Sequence, residues 1–331
     1  MSRSPRRGVL DRRGCSRIMR TLVYGAGPIG RWLSLRLHRA GKDVTLLAKG
    51  ETYGSLASDG VVLVDAYTGE KKLARVSLAQ ELVKQDDYDL VVVAMRKSSR
   101  LAVCPNLAES PSLENILFLG NDVSGFQRYS EYLPMEKFLL GFPGGGGGWD
   151  GENLVFADGD KPNDKGSPLY IGEIDGETRQ RTLQIRDHFE AAGFPVSVEG
   201  NIDGWLKYHF AFMGPTAGVV LKHGGDLQAA AADEEGLRMY IRACREAGDV
   251  LRAVGYKKRQ PPIFNLYYWL PEWAGVWTFQ RFFRSRKVEV AMGLHASVVG
   301  EELLEMMEEF AELKAQAGLE TPNLDELLSY A

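Results

Sequence analysis

Gly25-Ala26-Gly27-Pro28-Ile29-Gly30 constrains the fold of this chain more than any other stretch. Glycines at this spacing are weak evidence alone. Here a β-prone run, Thr21-Leu22-Val23-Tyr24, ends directly on them. An amphipathic pattern (Ile29, Trp32, Leu33, Leu37) then leaves them and closes on Gly41. In that setting Gly25 permits a tight turn, Gly27 lets a pyrophosphate approach the backbone, and Gly30 lets the helix pack on the strand. Ala26, Pro28 and Ile29 complete the turn, whose free N–H groups sit at the positive end of a helix dipole. With a second strand over residues 44–48, these pieces read as the first strand–helix–strand unit of a parallel sheet that binds a dinucleotide.

The end of the second strand discriminates between cofactors. An NAD site places Asp or Glu there, about 20 residues after the glycines, to accept hydrogen bonds from the ribose 2′-hydroxyl. This chain reads Ala48-Lys49-Gly50 instead. Lys49, and Arg31 just past the third glycine, offer cations to a 2′-phosphate, so the expected cofactor is NADPH. Glu51 is the nearby residue that opposes this reading.

Further along, residues 88–95 and 115–120 are near-continuous apolar runs, as in strands covered on both faces. Residues 138–176 are rich in Gly, Pro and Asp and read as strands joined by turns. A helix over 179–192 and a last strand over 195–199 complete the series. From residue 201 long helical patterns dominate, over 202–221, 227–254 and 287–317. The expected fold is therefore α/β, an N-terminal Rossmann-type parallel sheet followed by a C-terminal all-helical domain. The expected division is a disordered basic extension over 1–18, a dinucleotide-binding domain over 19–200, and a helical substrate and dimerisation domain over 201–331.

Composition excludes several other classes. The chain of 331 residues is 44% hydrophobic and 25% charged, with a formal net charge of -4, which argues against a general nucleic-acid binder. No apolar run reaches the roughly 20 residues of a membrane span. Cys15, Cys104 and Cys244 and the five histidines show no metal-ligand spacing, so no metal is expected. Sparse cysteines suit a reducing, cytoplasmic setting.

Four segments resemble the ketopantoate reductase family, whose members reduce a 2-oxo acid with NADPH. They are the glycine motif with Lys49; the strand 90–95 followed by Arg96 and Lys97, similar to a Val-x-x-Lys pattern with Arg96 in the matching slot; Leu119-Gly120-Asn121-Asp122-Val123-Ser124-Gly125; and Gly204-Trp205-Leu206-Lys207, similar to a Trp-x-Lys motif. The resemblance implies that Lys207 is the general acid, that Arg96 and Asn121 border the cofactor, and that Asn121 and Glu289 serve catalysis. Reduction of a ketone leaves an alkoxide-like oxygen, which calls for such a proton donor. Glu289 is expected either to pair with Lys207 or to bind the substrate hydroxyl.

Departures concern the substrate. Asparagines expected four and eight residues after the lysine are Ala211 and Pro215, and the run after Glu289 reads Ala291-Met292-Gly293-Leu294-His295. A pocket without those polar groups is poorly suited to a polar hydroxy acid. A small carbonyl substrate other than ketopantoate is expected. The alternatives are a non-catalytic NADP-binding sensor or a 3-hydroxyacid or opine-type dehydrogenase. The aromatic-rich residues 264–283 read as a packing core or a dimer surface, leaving room for a homodimer through the helical domain. An apolar substrate pocket and a membrane-surface helix are the other readings. Gly144 to Gly148 reads as backbone that passes close to a ligand, or as a flexible loop.

Overall fold

The computed structural model describes residues 18–157, 167–285, 288–289 and 299–331. The basic extension before Ile18 and the 291–295 departure lie outside them. Strand β1 (Thr21–Tyr24) pairs in parallel with β2 (Val44–Leu47) on one side and β6 (Leu90–Val93) on the other. The parallel set continues through β7 (Ile116–Leu119) and β8 (Phe138–Phe142), and beyond β2 to β5 (Ser77–Ala79). Next to β8 the direction reverses at β11 (Leu169–Glu173), which pairs in parallel with the last strand, β12 (Val196–Val198). The eight-stranded sheet is thus mixed, parallel at its centre.

The apolar runs are continuous because both faces are covered. Val23, Val92 and Leu117 point into one core, which Trp32, Leu33 and Leu37 of α1 (Pro28–Arg39) help to fill. Their neighbours Leu22, Tyr24, Val91, Val93 and Phe118 point into the other, with Cys104 and Leu107 of α3 (Lys97–Ala108). Helix α2 (Gly50–Asp59) follows β2, and α4 (Gln180–Ala191) joins β11 to β12.

A second sheet lies outside the expected plan. It is four-stranded, in the order Lys71–Ala74 (β4), Val61–Asp65 (β3), Asn153–Ala157 (β10) and Gly146–Asp150 (β9). The glycine run supplies part of β9. A Cβ at Gly147 would lie 2.3 Å from the Phe156 ring, and one at Gly144 1.9 Å from the carbonyl oxygen of Ser167. The glycines admit a close neighbour of this chain's own.

Helix α5 (Ile202–Lys222) begins as the sheet ends. Asn201 caps it, its side chain accepting from the Gly204 N–H. The first turns, Ile202, Trp205 and Leu206, belong to the core beneath the sheet, whereas Tyr208 and Phe210 belong to the helical core. That core gathers α5, α6 (Leu227–Ala232), α7 (Glu234–Ala253), α8 (Glu272–Phe283), α9 (Val299–Ala317) and α10 (Pro322–Leu328). Lys207 sits between the two cores.

Candidate active site

The glycine motif connects β1 to α1 as the spacing requires. Gly25 has φ +113, and a Cβ there would lie 2.6 Å from the Met95 side chain and 2.8 Å from the Ala94 carbonyl. At Gly30 a Cβ would overlap the Gly25 carbonyl oxygen at 1.8 Å, so only glycine lets the helix approach this closely. At Gly27 a Cβ would meet nothing within 4 Å. The backbone is open at the residue expected against a pyrophosphate, and closed by the protein at the other two. Pro28 occupies the first position of α1, whose first turn has no acid and no side-chain cap. The residues present fit a dinucleotide.

Lys49 is exposed and precedes the first turn of α2, which carries Glu51, also exposed. Lys49 borders a cavity of about 330 Å³ together with Tyr24, Glu81, Leu82, Val103 and Asn106. Arg31 turns elsewhere. Its Nε donates to the Ala26 carbonyl at 2.8 Å, and its guanidinium lies over the Trp149 ring at 5.0 Å. Burial lowers its pKa. Of the two cations offered to a 2′-phosphate, Lys49 has the exposed position.

At the neighbouring strand ends, Arg96 is exposed just before α3, while Lys97 and Arg100 are buried. Asn121 is half-buried after β7, and its carbonyl accepts a hydrogen bond from Arg100 Nη2. The adjacent Asp122 receives the Tyr129 hydroxyl at 2.6 Å and the Gly125 N–H at 2.9 Å, with Lys97 Nζ 3.1 Å away. Burial opposes its ionisation. The charges of Lys97 and Arg100 prevail and hold its pKa below the ordinary value.

Lys207, on the second turn of α5, is 2% exposed. Its Nζ donates to Asp203 Oδ1 at 2.6 Å, one helical turn earlier, and lies 4.9 Å from the centre of the Tyr256 ring. The Tyr256 hydroxyl donates to the other oxygen, Asp203 Oδ2, at 2.6 Å. Burial first, and the Asp203 carboxylate second, raise the Tyr256 pKa. Gly125 (φ +84) brings the loop after β7 onto this group, where a Cβ would lie 2.9 Å from Lys207 Nζ and 2.7 Å from Asp203 Oδ1. Lys207 and the loop carrying Asn121 are therefore brought together.

Glu289 is exposed. The carboxylate that meets Lys207 is Asp203, which the i, i+4 spacing on a helix signals in the sequence. Tyr256 has no comparable signal. His209 stacks on Trp205, four residues earlier, with the ring planes 9° apart. Ala211, where the resemblance calls for asparagine, is fully buried in the helical core, and Pro215 is buried inside α5.

Comparison with known proteins finds similarity to one family over part of the chain. The family model described as ketopantoate reductase PanE/ApbA matches residues 21–167. An uncharacterized oxidoreductase, YkpB, of Bacillus subtilis is 25% identical over 246 residues, 72% of this chain and 76% of the relative. A 2-dehydropantoate 2-reductase of Nostoc is 30% identical over 122 residues, 36% of this chain and 37% of that protein. Among solved structures, 2-dehydropantoate 2-reductase from Geobacter metallireducens shares the fold with a TM-score of 0.72 at 16% identity, covering 94% of this chain and 98% of that one. D-mandelate dehydrogenase with NADH and anilino(oxo)acetate does so with a TM-score of 0.74 at 14% identity, covering 94% and 96%.

Proposed function

We propose that the chain is a member of the ketopantoate reductase family and that it reduces the carbonyl of a 2-oxo acid or related ketone to an alcohol, using NADPH. The observation that carries this reading is Lys207. Its buried Nζ is held by Asp203 where the first helical turns meet the sheet's carboxyl-end loops, the region where open α/β sheets bind ligands.

NADPH supplies the hydride when bound. The glycine turn receives the pyrophosphate at Gly27, and Lys49 pairs with the 2′-phosphate. As negative charge builds on the carbonyl oxygen, Lys207 gives it a proton. Asp203 and Tyr256 fix the direction from which that proton comes. Asn121 orients the substrate or the nicotinamide amide, Arg96 borders the cofactor, and Glu289 pairs with Lys207 or binds the substrate hydroxyl. The asparagines that the resemblance expects at Ala211 and Pro215 are missing, so the substrate is a carbonyl compound other than ketopantoate.

The test is a screen of 2-oxo acids and apolar ketones for NADPH oxidation, repeated with Lys207→Ala. The variant is expected to lose turnover while keeping NADPH affinity within about two-fold, since its contact is to the reacting oxygen. Surviving activity would remove Lys207 from the chemistry. NADPH is expected to bind at least roughly ten-fold tighter than NADH, about the worth of one charge-assisted contact. Equal affinities would reject the role of Lys49.

A further inference from the structure

The aromatic segment does not fill the helical core with all its rings. In α8 the buried face is Gly275, Val276, Phe279 and Phe283. Trp273 and Trp277, four residues apart and so on one face, are 72% and 56% exposed, and Trp269, just before the helix, is 71% exposed. Ile263 adds a further exposed apolar side chain at 67%. Large aromatic rings left to water in this number mark a surface that meets something.

In the stretch of chain that carries them the exposed charges are of one sign, while α7 brings exposed acids beside it: Asp249 accepts from the Tyr268 hydroxyl at 3.0 Å and Glu235 lies 3.8 Å from Arg242. Between residues 257 and 284 the exposed charged side chains are Lys257, Lys258, Arg281 and Arg284, all basic. The acid in this stretch, Glu272, is half-buried and engaged by Arg242 at 2.8 Å. Arg281 lies over the Trp277 ring at 4.2 Å, its charge beside the outward-facing aromatic. The chain as a whole carries a net charge of -4, so this basic cluster is local. A twofold contact between two copies brings a patch against itself. Here the exposed charges that residues 257–284 would themselves bring to such a contact are all basic.

We propose that this face docks the protein on an anionic lipid bilayer, lying in the surface plane. Tryptophan rings favour the headgroup level, where the apolar body meets acyl chains and the indole N–H remains hydrated. Basic side chains beside them gain from the negative surface potential. Among the described residues no helix is long and apolar enough to cross a membrane, so the contact is peripheral.

The test is flotation of the purified protein with vesicles of phosphatidylcholine alone and with vesicles in which about one lipid in three is phosphatidylglycerol. Binding to the anionic vesicles is expected to be at least about ten-fold stronger, and to weaken with salt as charge attraction does. Tryptophan emission should shift to the blue on binding. W273S/W277S and R281E/R284E, all at exposed positions, are each expected to remove binding while leaving far-ultraviolet circular dichroism and NADPH affinity unchanged. No binding to either vesicle overturns the proposal, as does equal binding to both. Binding that survives in both double variants overturns the assignment of this face. A wild-type dimer that fails to bind vesicles and that W273S/W277S converts to monomer would show a second copy as the occupant. Capture by an acidic protein partner without vesicle binding would replace the bilayer with that partner.

Discussion

A methyl group added at Gly30 would lie 1.8 Å from the Gly25 carbonyl oxygen, whereas one added at Gly27 would meet nothing within 4 Å. The two glycines of one motif are therefore constrained differently: Gly30 is confined by the protein's own backbone, whereas nothing of the chain confines Gly27, the residue proposed to face the pyrophosphate. Gly30→Ala forces α1 away from β1 and is expected to cost about 1–3 kcal/mol or more, as overpacking of a tight contact does. Gly27→Ala leaves the fold untouched and is expected to weaken NADPH binding roughly ten-fold or more, because its methyl stands where the pyrophosphate must approach. Thermal denaturation and calorimetric titration of both variants separate the two effects. Equal loss of stability in both, with cofactor binding intact in Gly27→Ala, would contradict this division.

Elements whose signal is local were legible in the sequence, and those made by distant partners were not. The strand, the glycine turn and α1 follow from a few neighbouring residues, and β6 and β7 from apolar runs covered on both faces. The helix expected over 227–254 is two helices. Asp233 ends α6 and caps α7, accepting from the Gly236 N–H at 2.9 Å and from Lys222 Nζ at 2.9 Å. A capping aspartate inside a helical pattern is a readable boundary, although its partner on α5 is not. Of the second sheet, β9 and β10 fall within residues 138–176, which read as strands joined by turns, and β3 is a β-branched run. Its assembly is what was not local, since β4 is the polar Lys71-Lys72-Leu73-Ala74 and β3 meets β10 only across ninety intervening residues. The glycine run is explained by Phe156 pressing on Gly147, a contact that spacing does not reveal. In the candidate site, Asp203 lies one turn from Lys207 and was within reach of helix periodicity. Tyr256 arrives from the far end of α7 and was not.

At the scale of the whole molecule, one buried group joins the sheet to the last long helix. Lys97, at the start of α3, is 1% exposed and donates to Ser124 Oγ at 2.7 Å and to Glu309 of α9. The other oxygen of Glu309 accepts the Ser124 N–H at 3.0 Å, and Asp122 closes the group beside Lys97. Glu309 is 4% exposed, so its charge is stabilised by these partners rather than by water. Removing one member of a buried pair leaves the other charge uncompensated, at a cost of about 3–5 kcal/mol. Asp122 stays beside Lys97 when Glu309 is removed, so Glu309→Gln should fall at or below the low end of that range. Lys97→Met leaves two buried acids facing each other and should cost more. The informative quantity is the double variant. If Lys97 and Glu309 act as one contact between the sheet and the helices, the loss in Lys97→Met/Glu309→Gln falls short of the summed single losses by about 1–3 kcal/mol. Urea unfolding of the four proteins measures it. Additive losses would mean that α9 is held to the sheet by its apolar packing, with Lys97 and Glu309 stabilised independently.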